Sequence, residues 1–237
     1  MRERIVTAEG VGSTNRSRII EFGGNSALLV ALVVFLAVVP FLPGEDRDGL
    51  SARMVWTSLI VAGLFRASER RIFLWSALIV AVPSLVDRWF DLPGDAAVAP
   101  VLAAIFVFLV AAHILADIFS RDQIGVDQIV GGINVYLLIA LAFGRLHLAA
   151  ALHREDAYMM GEFPLPEWCA MAGQGLEDTL LYFSFTTITT LGYGDVLPAS
   201  HLARVLATGE AVLGQLFIAI LIARLVSIYS RPVPGAK

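Results

Sequence analysis

The stretch Leu176-Glu177-Asp178-Thr179-Leu180-Leu181-Tyr182-Phe183-Ser184-Phe185-Thr186-Thr187-Ile188-Thr189-Thr190-Leu191-Gly192-Tyr193-Gly194-Asp195 decides how the rest of the chain is read. Residues 176–190 are helix-compatible and apolar enough to enter a bilayer, yet too few to cross one, since a span needs about 20 residues. Glu177 and Asp178 stand in the first turn, where acidic side chains favour the helix dipole. Gly192 and Gly194 follow at a spacing that no helix carries cheaply. A half-length helix followed by extended backbone is a re-entrant loop. Such backbone survives at membrane depth only where it is buried in protein or lines an aqueous path.

Composition around this stretch agrees with a membrane setting. Of 237 residues 57% are hydrophobic and 16% charged, and the mean hydropathy is +0.75, whereas a soluble domain carries about 25% charged residues. An ordinary cytosolic enzyme, a secreted disulfide scaffold and a disordered tail are excluded. The net charge of −4 and the lack of a basic stripe exclude nucleic acid as a partner. Cys169, the single cysteine, is either an incidental thiol or the half of an inter-subunit bridge. No His-Glu-x-x-His or Gly-x-Ser-x-Gly motif occurs, so neither an enzyme nor a cofactor is expected.

Six segments read as membrane spans: about 26–42, 50–65, 72–87, 97–119, 128–150 and 203–229. In the second, Arg53 must snorkel to the interface. In the third, Pro83 marks the start of unwinding. The first span lacks a small-residue cleavage pattern and is read as retained. A cytoplasmic N-terminus places eleven of the seventeen basic residues inside, Arg66, Arg70 and Arg71 among them, so both termini are expected in the cytoplasm. The expected fold is an all-α membrane protein. Its parts are a cytoplasmic tail (1–25), a four-helix transmembrane domain (26–120), a pore module (121–230) and a short cytoplasmic tail (231–237). Gly131 and Gly132 in the fifth span are expected to be packing positions.

The run Thr189-Thr190-Leu191-Gly192-Tyr193-Gly194-Asp195 resembles the selectivity-filter signature of potassium channels, and the likeness to bacterial six-transmembrane members extends from about Val126 to Tyr229. The resemblance implies that an ion-binding filter over Thr190, Leu191, Gly192, Tyr193 and Gly194 replaces the hydration shell of K⁺, the permeant ion, with the carbonyls of Thr190, Leu191, Gly192 and Tyr193 and the Thr190 hydroxyl, while Gly192 and Gly194 let successive carbonyls point the same way. Leu191 stands where valine is commonest. Tyr193 is expected to brace the filter against the pore helix, and Asp195 to hydrogen-bond behind it at the outer mouth. Tyr182 and Phe183 stand where many members carry two tryptophans and are expected to form an aromatic cuff. Thr186 stands where some members place a glutamate. Gly214 falls where inner helices often have a gating hinge, and close helix packing is the other reading of it. One filter segment supplies one wall of a pore, so a homotetramer in the lipid bilayer of the cell membrane follows.

The fourth span, Ala97 to Phe119, carries no Arg or Lys. Moving one charge through 100 mV is worth only about 2.3 kcal/mol, so voltage gating through this helix is not expected. His113 and Asp117, one turn apart, are a candidate pH-sensitive pair or an interfacial ion pair. Arg145 and Glu210, on adjacent spans, are expected to pair with each other. With few residues after Tyr229 no cytosolic ligand-binding sensor is expected there, and gating is expected to be membrane-borne, carried by the filter or supplied by a regulatory partner. The reading is a K⁺ channel; its alternatives are a non-conducting regulatory subunit and a K⁺ uptake transporter subunit.

Overall fold

A computed structural model of the chain describes residues 24–38, 57–58, 60–64, 71–90, 95–120 and 125–229. The N-terminal tail to residue 23, most of the expected second span with Arg53, the Arg66 and Arg70 loop, Arg121 and the tail from 230 lie outside the described residues. Seven helices are described at length: α1 (Gly24–Val38), α2 (Arg71–Phe90), α3 (Val98–Ser120), α4 (Val126–His153), α5 (Leu165–Ala172), α6 (Leu176–Ile188) and α7 (His201–Tyr229). Among the described residues three helices are long and apolar enough to cross a membrane, namely α3, α4 and α7.

The expected spans and the observed helices agree closely at 97–119, 128–150 and 203–229. Two expectations change. Pro83 does not end the third span, because α2 continues through it to Phe90. A proline removes the hydrogen bond to the carbonyl four residues back. Here that carbonyl belongs to Ile79, and both residues lie on the exposed side of the helix, where the loss does not disrupt packing. The fold is also not purely helical. The segment after α4 forms a 3₁₀ turn (Glu155–Ala157), strands β1 (Tyr158–Met160) and β2 (Phe163–Pro164), and α5. Strand β3 (Val196–Pro198) returns to pair antiparallel with β1, giving the order β2-β1-β3, with Met160 opposite Val196.

Helix α4 is the axis of the structure. Gln128 at its third position reaches back to accept from the Gly125 N–H at 2.8 Å, closing the exposed start of the helix. Phe106, Val110, Ile114 and Ile118 of α3 pack with Val135, Leu138 and Ile139 of α4 in one apolar core. Helix α1 is fastened to the same axis by polar contacts. The Asn25 amide donates to the Asp127 carboxylate at 2.9 Å, and Asn134 donates to the Asn25 carbonyl at 2.7 Å.

Helix α7 lies against α4 and against the end of α6. A Cβ at Gly132 would fall 2.9 Å from Leu221 Cδ2, as expected of a packing position. At Gly214 a Cβ would fall 2.5 Å from Ile188 Cγ1 and 3.1 Å from the Ile188 carbonyl. That close approach accounts for a glycine at 214 through packing. At the far end of α7, Arg224 donates to the Ile118 carbonyl at 2.7 Å, and its guanidinium sits 4.4 Å from the Phe119 ring centroid. The buried thiol of Cys169 approaches Thr179 Oγ1 at 3.6 Å, and burial pushes it above the ordinary thiol range. Enclosed by its own chain, it is the incidental thiol and not a bridge.

Gly214→Val forces branched carbon into the Ile188 contact. It should lower stability by about 1–3 kcal/mol, the usual cost of overpacking. Thermal unfolding in detergent measures the loss, and Ile188→Ala in the same background should restore part of it, because the two changes share one space.

Candidate functional site

The segment 189–195 leaves the end of α6 through a hydrogen-bonded cap. The Thr190 N–H donates to the Thr187 carbonyl at 3.0 Å, and the Leu191 N–H to the Thr186 carbonyl at 2.9 Å. This is a Schellman arrangement, whose left-handed position usually holds glycine. Here it holds Thr190, at φ +59°. A β-branched residue in that region is strained, at a cost of about 1–2 kcal/mol. The helix end leaves none of its last carbonyls unbonded. Phe185 accepts from the Thr189 N–H and hydroxyl, Thr186 also accepts from the Gly192 N–H at 3.1 Å, and Ile188 accepts from the Tyr136 hydroxyl at 3.1 Å.

The carbonyls that follow are treated differently. Among the described residues, no donor reaches the carbonyls of Thr190, Leu191, Gly192, Tyr193 or Gly194. Their backbone alternates in sign, with φ +59° at Thr190, +55° at Gly192 and +77° at Gly194, and negative φ at Leu191 and Tyr193. Alternation of this kind can turn successive carbonyls to the same side of an extended strand, and two of the three left-handed positions are glycines, which adopt it without strain. All seven residues of the segment are exposed in the single chain.

Both flanks of the segment are anchored. The Tyr182 ring stacks on Tyr193 with centroids 6.3 Å apart and planes at 10°. Its hydroxyl donates to Asp195 at 2.9 Å, and the other Asp195 oxygen accepts from the Val196 N–H at 3.0 Å. Of the two residues expected to form the cuff, Tyr182 lies against Tyr193 and Phe183 does not. Successive residues on a helix diverge by about 100°, and the Phe183 ring points into the protein, 5.0 Å from His147 and 5.6 Å from Tyr158. The Thr186 side chain donates to the Phe183 carbonyl within α6, so the residue supports the segment through its backbone carbonyl.

The expected Arg145–Glu210 pair does not form. Arg145 pairs with Glu177 at the start of α6, and Glu210 meets Ser184 and, at 2.9 Å, His147 Nε2. The reason is helical geometry. Arg145 and His147 are two residues apart and point to nearly opposite faces of α4, and it is His147 that faces α7. His147 Nδ1 lies 2.6 Å from the Tyr158 hydroxyl. Neither His147 nor Tyr158 was among the expected site residues, although a histidine inside an apolar span is itself a signal that a partner exists. His113 is buried and Asp117 half-buried, one turn apart on α3.

A family profile described as ion channel matches residues 176–231, which hold α6, the 189–195 segment, β3 and α7. No curated protein and no solved structure matches the chain. The match supports an ion channel in a membrane, and the described helices suit that setting.

Thr190→Gly relieves the left-handed threonine. Setting the greater chain entropy of glycine against that relief, a gain of about 0.5–1 kcal/mol is expected. Thermal unfolding without added ions checks the gain. A loss of stability would show that the threonine side chain, and not strain, governs the cap.

Proposed function

We propose that the protein is a potassium-selective channel that conducts K⁺ passively across the cell membrane as a homotetramer. One observation carries the reading: six consecutive carbonyls, from Thr189 to Gly194, accept no hydrogen bond among the described residues, while the last four carbonyls of α6, Phe185 to Ile188, are all bonded. Unbonded backbone oxygen is tolerated at membrane depth where it meets an aqueous path, and K⁺ is bound by oxygens that replace its water. The carbonyls of Thr190, Leu191, Gly192 and Tyr193, with the Thr190 hydroxyl, are the proposed ligands, and K⁺ is the permeant ion. The ion-channel match over 176–231 supports the same reading.

Four copies are needed because one segment forms one wall of a pore. The uneven burial of the helices supports this: 72% of the most apolar window of α4 is buried, against 17% for α7. An apolar helix left that bare has a face for neighbouring copies. Both termini are proposed to be cytoplasmic, with the 155–174 segment outside. Voltage gating through α3 is not proposed, since α3 carries no basic residue. Gly214, where α7 touches Ile188, is the proposed bending point of α7.

Flux from reconstituted liposomes tests the proposal. The wild type should pass K⁺ in preference to Na⁺ and be blocked by Ba²⁺. Gly194→Ala places a Cβ at φ +77° and should abolish that preference. Equal K⁺ and Na⁺ flux from the wild type would overturn selectivity, and an intact tetramer without flux would point to a regulatory subunit.

A further inference from the structure

Behind α6, on the side away from 189–195, four polar side chains from four elements are wholly buried. Tyr158 of β1, His147 of α4, Ser184 of α6 and Glu210 of α7 are each 0% exposed. They form a chain. The Tyr158 hydroxyl lies 2.6 Å from His147 Nδ1, His147 Nε2 lies 2.9 Å from Glu210 Oε2, and Glu210 Oε1 meets Ser184 Oγ. Ser184 Oγ is in turn 2.6 Å from the Ala140 carbonyl.

Counting hydrogens along this chain fixes where they sit. A serine hydroxyl has one hydrogen to donate, and a backbone carbonyl only accepts. At 2.6 Å from the Ala140 carbonyl, that hydrogen must lie between the two oxygens. The contact from Ser184 Oγ to Glu210 Oε1 therefore needs a hydrogen supplied by Glu210. With its proton on Oε1, Glu210 accepts at Oε2 from His147 Nε2–H, and the bare Nδ1 of His147 accepts from the Tyr158 O–H. Every donor then has one acceptor and no group carries charge. The alternative, a carboxylate beside a doubly protonated His147, fails at both ends. Ser184 would face two acceptors with one hydrogen. The Tyr158 hydroxyl would receive a hydrogen from Nδ1 and have no acceptor for its own among the described residues. Leaving buried polar groups unsatisfied in this way is costly.

We propose that Glu210 is held as a neutral carboxylic acid and serves as a positioning residue, the centre of a one-way relay Tyr158→His147→Glu210→Ser184→Ala140. Glu210 lies one turn before Gly214 and Ser184 one turn before Ile188, so the relay fixes α7 to α6 just beside the contact of Gly214 with Ile188. Through Tyr158 it also holds β1, the strand that pairs with β3 directly after Asp195. The placement of the proton stands on these contacts alone; the effect on conduction rests on the channel reading above.

Infrared difference spectroscopy of wild type against Glu210→Gln, both in detergent, reads the proton directly. A protonated-carboxyl C=O stretch should be present in the wild type and absent from the variant; a carboxylate band lost in its place would overturn the assignment. Glutamine places an N–H donor and a carbonyl acceptor where the acid has them and adds one further N–H. Glu210→Gln should therefore assemble and keep K⁺ flux within about twofold of wild type, as a near-neutral change does. Glu210→Ala, which strands Ser184 and His147, should lower the unfolding midpoint by about 5 °C or more. An alanine variant as stable as the glutamine variant would remove the positioning role. A wild type that shows the acid band but passes no K⁺ would leave the relay standing and remove the channel reading.

Discussion

The rest of the structure depends on one constraint: a backbone polar group at membrane depth needs a partner, and where it has none there must be water or an ion. Helix α6 meets this with the bonds at its end. The Thr186 carbonyl takes two N–H groups from the segment that follows, and Tyr136 reaches across from α4 to take the Ile188 carbonyl. These bonds commit the N–H groups of Leu191 and Gly192 to the helix and turn the chain away from it. The carbonyls beyond have no protein partner among the described residues, and the alternating φ keeps them from closing a turn upon themselves.

A strand so short of internal bonds cannot hold its own shape and is held from both ends. At one end stands the cap with its strained Thr190. A strained residue persists only where its surroundings over-determine it, and here the bonds of Thr186, Thr187 and Phe185 do so. At the other end Asp195 is fixed between Tyr182 and the Val196 N–H, and β3 is paired to β1. The small sheet thus has a structural purpose. It ties the exit of the segment to a strand whose first residue, Tyr158, is buried deep in the protein.

Much of this was legible in the sequence. Long apolar runs gave α3, α4 and α7 to within a few residues, because a span is set by length and hydropathy alone. The half-length α6 and the turn after it were readable from Glu177, Asp178, Gly192 and Gly194, whose preferences are local. The ordered segment 155–172 was not, since β1 is made by pairing with residues nearly forty positions away, and no local preference encodes that. The partners of Arg145 and Glu210 were not legible either. Depth in the membrane said that each needed a partner. Which face of α4 each residue occupied depended on the rotation of the helix, and Phe183 was misjudged for the same reason.

The two acids near α6 show how placement divides their roles. Glu177 stands at a helix start beside the cation of Arg145, and both helix dipole and ion pair favour its charge. Glu210 meets only an imidazole and a hydroxyl, in full burial. Helix α7 is consequently held at several heights, three of them by interactions of different kinds. Glu210 anchors it through a buried, directional network, Gly214 by van der Waals contact with Ile188, and Arg224 by one carbonyl and one ring at the surface of α3. Glu210 and Arg224 are separated by about 21 Å along the helix. The hydrogen bond and cation–π contact of Arg224 are together worth about 2–4 kcal/mol. Releasing Glu210 strands several buried groups, each worth about 1–3 kcal/mol. The contact at Gly214 has no preferred direction and resists compression but not tilt.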